Sequence, residues 1–249
     1  MKEILVLLAL VALWAGFQNA LAGGGSFVTL PALILSGLDA RNANIASTLA
    51  LFPGQVTTGW VGRRQASGVA GLGFPILVAV SLTGGAIGAA LLLLTPSSFF
   101  ARLVPWLVLF ATALFAYGSF APPAPAGRPR VGPRTALAAQ LAISIYGGYF
   151  GGGIGFLMLA ALTAAGLAVR TAGATKNVLA GVMNAAAVAI FLFTPGIPWL
   201  RVGVIAVCAM AGGYIGAMAM KRIDERIIRG LVIALGVVLS IGLFLRQAH

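Results

Sequence analysis

Lys176 is the residue whose type and place most invite chemistry, a lysine between Thr175 and Asn177 inside the otherwise apolar run 172–193. An ammonium among apolar side chains is costly unless it meets an anion or reaches water. Arg170 stands six residues before it, and the same spacing separates Arg41 from Ser47-Thr48, which align with Lys176-Asn177. Both sets lie about two turns into an apolar segment if the segments are helices. Ser47, Thr48, Thr175, Lys176 and Asn177 offer hydroxyl, amide and ammonium donors, the chemistry that holds a small anion. Two plainer uses compete. Lys176 can extend its stem to a nearby polar boundary, and Ser47, Thr48 and Asn177 can bond back to their own helices. Arg41 and Arg170 read as anchors at such a boundary, and Gln55 and Asn184 are further polar residues inside apolar runs.

A second set of donors lies in the backbone. Gly23-Gly24-Gly25 precedes Ser26-Phe27-Val28-Thr29-Leu30-Pro31, and Gly151-Gly152-Gly153 precedes Ile154-Gly155-Phe156. Glycine triplets break helices, and a helix that restarts after one aims unpaired N–H groups at whatever lies before it. Such a terminus favours anions. Gly24, Gly25, Gly152 and Gly153 are therefore candidate ligand contacts, with Ser26 and Thr29 as side-chain donors. The competing use of these glycines is close helix packing, which fits Gly84-x-x-x-Gly88 and Gly212-x-x-x-Gly216 better than any ligand does.

Enzyme chemistry finds little here. The histidine is His249, and the acids are Glu3, Asp39, Asp224 and Glu225, all near segment ends. These residues assemble no metal-ligand cluster, histidine-based triad or paired carboxylates. The triplets also lack the strand and βαβ context of a dinucleotide fingerprint. No catalytic residue, metal or cofactor is expected, and the chain is not expected to be an enzyme.

The elements that position these residues follow from composition. Of 249 residues 60% are hydrophobic and 8% charged, with a mean hydropathy of +1.05. A soluble domain carries about 25% charged residues, so the solvent here is lipid. Apolar segments fall near 4–22, 26–37, 42–62, 69–94, 99–120, 134–150, 154–166, 172–193, 200–220 and 227–245. Most suit membrane helices of ~20 residues rather than the ~10-residue strands of a barrel. The second and seventh are too short to span, which predicts broken or re-entrant helices at the triplets. The start of the chain, with Lys2 and Ala20-Leu21-Ala22, imitates a cleavable leader. Its likeness to the segment ending at Gly151 assigns it to the fold instead. Cys208, the one cysteine, excludes an intramolecular disulfide.

The chain reads as a duplication. The glycine triplets lie 128 residues apart, Arg41 and Arg170 lie 129 apart, Gly84 and Gly212 lie 128 apart, and Arg102 and Arg229 lie 127 apart. A Pro-rich joint divides a first repeat, 1–120, from a second, 134–249, with 121–133 as the linker. The net charge of +12 sits at segment ends, so it signals topology and lipid headgroups rather than nucleic acid. If each repeat crosses an odd number of times, 11 of the 16 Lys and Arg fall on one side against 5 on the other. An even number gives no bias. The positive-inside rule therefore predicts an all-α membrane protein of two inverted repeats, about five helical segments each, with both termini outside.

These motifs resemble those of the sulfite exporter TauE/SafE family. The likeness rests on Gly23 to Pro31 followed by Ala43 to Leu51 with Ser47-Thr48, and on Gly151 to Gly155 followed by Ala172 to Asn184 with Thr175-Lys176-Asn177. It covers about residues 4–245, and the second copy departs from the first in having Leu159 near the place of Pro31. The resemblance implies transport of sulfur-containing anions such as sulfite, sulfonates or sulfoacetate in the cell membrane. An inside-negative potential drives an anion outward by about 2.3 kcal/mol per charge per 100 mV, which favours export by alternating access. An anion channel, an uptake permease for an organosulfonate and a non-transporting membrane scaffold are the competing readings. The expected partners are a small anionic substrate, membrane lipids and, as an option, a second copy in a homodimer.

Overall fold

The computed structural model describes residues 2–21, 24–120, 129–219 and 225–247. Ten α-helices lie among them. The first half supplies α1 (Lys2–Leu21), α2 (Ser26–Leu35), α3 (Ala40–Gly62), α4 (Phe74–Leu94) and α5 (Ser97–Phe120). The second supplies α6 (Pro133–Tyr149), α7 (Ile154–Ala164), α8 (Val169–Phe191), α9 (Trp199–Ala219) and α10 (Glu225–Gln247). The chain is an all-α membrane protein. The helices α1, α4, α5, α8 and α9 contain stretches long and apolar enough to cross a membrane. Gly23 and residues 121–128 of the linker lie outside the described residues.

The helices break where the glycines predict. Gly24, Gly151 and Gly153 hold φ of +80°, +79° and +75°, a left-handed conformation that costs residues with a Cβ about 1–2 kcal/mol. The short helices that follow have 10 and 11 residues, roughly 15–17 Å of rise and half the hydrocarbon thickness. Both stop in the same way. Leu38 N bonds Leu33 O (3.2 Å) around Gly37 (φ +93°), and Leu167 N bonds Leu162 O (3.1 Å) around Gly166 (φ +102°). These are Schellman caps 129 residues apart, the same offset that separates Arg41 from Arg170.

One predicted segment begins late. The run 69–94 becomes helix only from Phe74, because residues 66–73 form a loop after a 3-10 turn at Arg63–Gln65. Val69 and Leu72 exchange backbone hydrogen bonds of 3.0 and 2.8 Å across a turn with positive φ at Ala70 and Gly71. Gly73 then precedes Pro75, whose missing N–H is tolerated only in the first turn of a helix.

Packing interlocks the halves. The most extensive partner of α1 is α9, and that of α6 is α4, so equivalent helices exchange equivalent partners. Small residues make these seams. An added Cβ at Gly16 would strike Ala209 O, and one at Gly212 would strike Leu13 O. In the other seam Gly85 and Gly148 bring their backbones together, and Gly88 lies on Ile145 and Tyr149. Backbone approach of this kind replaces the hydrophobic drive that lipid cannot supply. The α4/α6 seam adds polar contacts, Gln140 Nε2 donating to Ser81 Oγ (2.8 Å) and Ser144 Oγ (3.3 Å).

Helix ends are tied by charge. Arg41 Nη1 donates to Leu93 O (3.2 Å) and Thr95 O (3.3 Å) at the C-terminus of α4. Arg201 Nη1 does the same for α2, bonding Ser36 O (3.1 Å) and Ser36 Oγ (2.9 Å). Cations at helix C-termini complement the macrodipole. Asp39 caps α3 through Asn42 N (3.2 Å) and accepts a hydrogen bond from Ser97 Oγ at the start of α5. Burial raises its carboxyl pKa, but the bonds from Ser97 and Asn42 and the nearby Arg41 charge outweigh this and hold it below the ordinary value.

Candidate functional site

The sequence-predicted residues fall into two clusters. In the first, Thr29 Oγ1 and Ser47 Oγ lie 2.6 Å apart, both buried, and Thr29 Oγ1 also reaches Gly25 O at 3.3 Å. If Thr29 donates to Gly25 O, then Ser47 donates to Thr29, and both hydroxyl protons are used inside the protein. The glycine break is closed as well. Asn19 Oδ1 accepts from Gly25 N (3.4 Å), and Gln18 Nε2 donates to Gly24 O (3.1 Å). Thr48 bonds back to Asn44 O (3.0 Å) on its own helix. Ser26, at the start of α2, is half-buried. In this cluster the hydroxyls of Thr29, Ser47 and Thr48 and the N–H of Gly25 have partners within the protein.

The second cluster is open. A Cβ added at Gly155 would lie 3.6 Å from Lys176 Nζ, so the ammonium sits over the first turn of α7. Among the described residues no hydrogen bond or ion pair reaches that ammonium. The N–H groups of Ile154 and Gly155 likewise have no partner there, as the first turn of a helix leaves them. The ammonium of Lys176 thus lies beside the first turn of α7. Gly152 and Gly153 hold this turn where no side chain would fit. A Cβ on Gly152 would come within 2.5 Å of the Phe150 ring, and one on Gly153 within 2.9 Å of Ala111 Cβ. Thr175 Oγ1 accepts from Ser67 N (3.0 Å), which holds the 66–73 loop on α8 and leaves the hydroxyl proton free to donate. Asn177 packs its carbonyl against Gly59 of α3, where an added Cβ would lie 3.2 Å away.

The clusters are not adjacent. Asn177 neighbours Gly59 and Ala174 neighbours Gly62, which sets Lys176 level with the last turn or so of α3. Ser47 lies about 13 residues earlier, roughly 20 Å along the helix axis. Between them, Asn184 Nδ2 donates to Gln55 Oε1 at 2.6 Å, tying α8 to α3. These two residues are 129 apart, the offset at which Arg41 and Arg170 also stand. Their pairing was not foreseen, although the repeat offset applied to Gln55 points to Asn184.

Interhelical hydrogen bonds in membrane proteins contribute about 0.6 kcal/mol on average and up to ~1.7. Gln55→Leu and Asn184→Leu should each lower unfolding stability in detergent by an amount in that range. The double variant should lose less than the sum of the two. Additive losses would mean that the bond contributes nothing of its own.

The sequence model of a family described as "Sulfite exporter TauE/SafE" matches residues 8–243. Curated relatives span almost the whole chain. A "Probable membrane transporter protein" from Haemophilus influenzae is 29% identical over 96% of this chain and 93% of its own length. "Probable membrane transporter protein YfcA" of Escherichia coli K12 is 26% identical over 95% of this chain and 88% of its own. A Sinorhizobium "Probable membrane transporter protein ORF9" is 29% identical over 99% and 95%.

Proposed function

The chain belongs to the sulfite exporter TauE/SafE family, and on that premise we propose that it exports small sulfur-containing anions of the sulfite, sulfonate or sulfoacetate type across the cell membrane. The observation that carries this reading is the Lys176 ammonium beside the first turn of α7, which puts a positive charge next to the positive end of a helix dipole. A dianion or monoanion with tetrahedral or pyramidal oxygens suits this pair, because a helix N-terminus supplies directed N–H donors and a lysine supplies a mobile charge.

Inversion of the halves is part of the reading. Contacts from Gln55 to Asn184, Gly59 to Asn177 and Gly62 to Ala174 make α3 and α8 antiparallel. Trp106 on Phe244 (5.0 Å between ring centroids) and Thr112 on Gly236 do the same for α5 and α10. Equivalent helices that run antiparallel support a two-fold axis across the bundle rather than along it, as inverted repeats require. The axis then passes near the Gln55–Asn184 bond. The positive-inside count favours both termini outside, and rocking of the halves about the α3/α8 seam is the alternating movement of this reading.

The experiment is sulfite flux in proteoliposomes with an imposed potential. Saturable flux that reverses with the sign of the potential is expected. Flux that rises without saturation would make the protein a channel. Flux of an organosulfonate in place of sulfite would change the substrate, and no anion flux from folded protein would sink the reading.

A further inference from the structure

An open groove of ≈ 290 Å³ runs along the α3/α8 seam. Phe52, Val56 and Trp60 of α3 and Val178, Val182 and Ala185 of α8 line it, so its walls are apolar. Arg63 closes one end and Gln55 stands near the other. No acidic side chain borders it. The span from Phe52 to Arg63 is 11 residues, roughly 16 Å of helix, which is half of a ~30 Å hydrocarbon core. The groove is therefore as long as one leaflet is deep.

Its polar end has the composition of a headgroup contact. Arg63 lies with its guanidinium carbon 3.7 Å from the Trp60 ring centroid and donates one N–H to Trp60 O (2.6 Å). A guanidinium has five N–H donors, so most remain for a phosphate. Trp60 is 65% exposed and Arg64 beside it is exposed too, the aromatic and basic pattern of a membrane–water boundary.

We propose that this groove holds one acyl chain of an anionic phospholipid whose phosphate rests on Arg63 and Arg64, so that a lipid spans the seam between the two halves. The apolar walls accept the chain, their length stops it near the Gln55–Asn184 bond, and the paired arginines select a negative headgroup over a zwitterionic one. Each basic residue near a membrane surface strengthens anionic binding about fivefold, so the pair contributes roughly thirtyfold.

The test is native mass spectrometry of the full chain after exchange into mixed micelles of phosphatidylglycerol and phosphatidylcholine. The wild type should retain one phosphatidylglycerol per chain in preference to phosphatidylcholine. Arg63→Gln/Arg64→Gln should weaken that binding by roughly thirtyfold, and both side chains are exposed, so the fold should be unaffected. Ala185→Phe, which fills the groove, should abolish retention of both lipids. Unchanged phosphatidylglycerol retention in either variant, with wild-type elution and melting, would overturn the proposal. Retention of an alkyl sulfonate in place of the phospholipid would overturn it as well, by making the groove a route for substrate.

Discussion

Sulfite flux driven by a membrane potential should fall at least tenfold when Lys176 is replaced by methionine, with the protein still folded. Methionine keeps most of the apolar stem that packs toward α7 but removes the charge. A hydrogen bond to a charged partner contributes about 1.5–3 kcal/mol, and 1.4 kcal/mol is a factor of ten in binding. The expected loss is therefore about ten- to a hundredfold, read as a higher half-saturation concentration for sulfite. Folding should be unharmed, because no side chain among the described residues pairs with that ammonium. Ser47→Ala is the contrast. Its hydroxyl is held by Thr29 at 2.6 Å, so its removal should alter flux far less. Full flux in Lys176→Met together with loss in Ser47→Ala would move the anion to the opposite end of the seam.

The second large effect is on folding. Gly88→Val should lower thermal stability by about 2–12 °C or prevent a monodisperse preparation. A side chain there meets Ile145 O at once and comes within 2.7 Å of Tyr149 N and 2.9 Å of Gly148 C. These are backbone atoms of α6, which cannot rotate away as a side chain can. Overpacking costs about 1–3 kcal/mol and more where nothing yields, and at this chain length each kcal/mol is about 2–4 °C. Gly203→Val is the control, since an added Cβ there meets nothing within 4 Å. Equal melting of the two variants, followed by tryptophan fluorescence in detergent, would show that the α4/α6 seam is not held by backbone approach.

The elements were legible because lipid makes them so. Ten apolar runs gave ten helices, and the triplets broke them where Gly24 and Gly153 turn left-handed. The start of α4 was misplaced because Val69 and Leu72 are apolar enough to pass for helix. Only the glycines and Pro75 around them carry the turn. The candidate site was legible in part. Sequence alignment of the repeats put Ser47 beside Lys176 on paper, but equivalence under a repeat does not mean proximity. The antiparallel crossing of α3 and α8 sets the two clusters at opposite ends and brings together Gln55 and Asn184 instead. Nor could the sequence separate a satisfied cluster from an open one. That depended on Asn19 and Gln18 folding back onto Gly25 and Gly24, with no counterpart at Gly153.

The exchange of partners between halves also governs how the protein is made. α1 ends at Leu21, and its main partner α9 begins only at Trp199. Ribosomes add about 5–20 residues per second, so α1 waits roughly 10–40 s in the bilayer before α9 exists to receive it. Throughout that interval the Gly16 seam faces lipid, or whatever insertion machinery shelters it. A helix made long before its partner thus finds its place late.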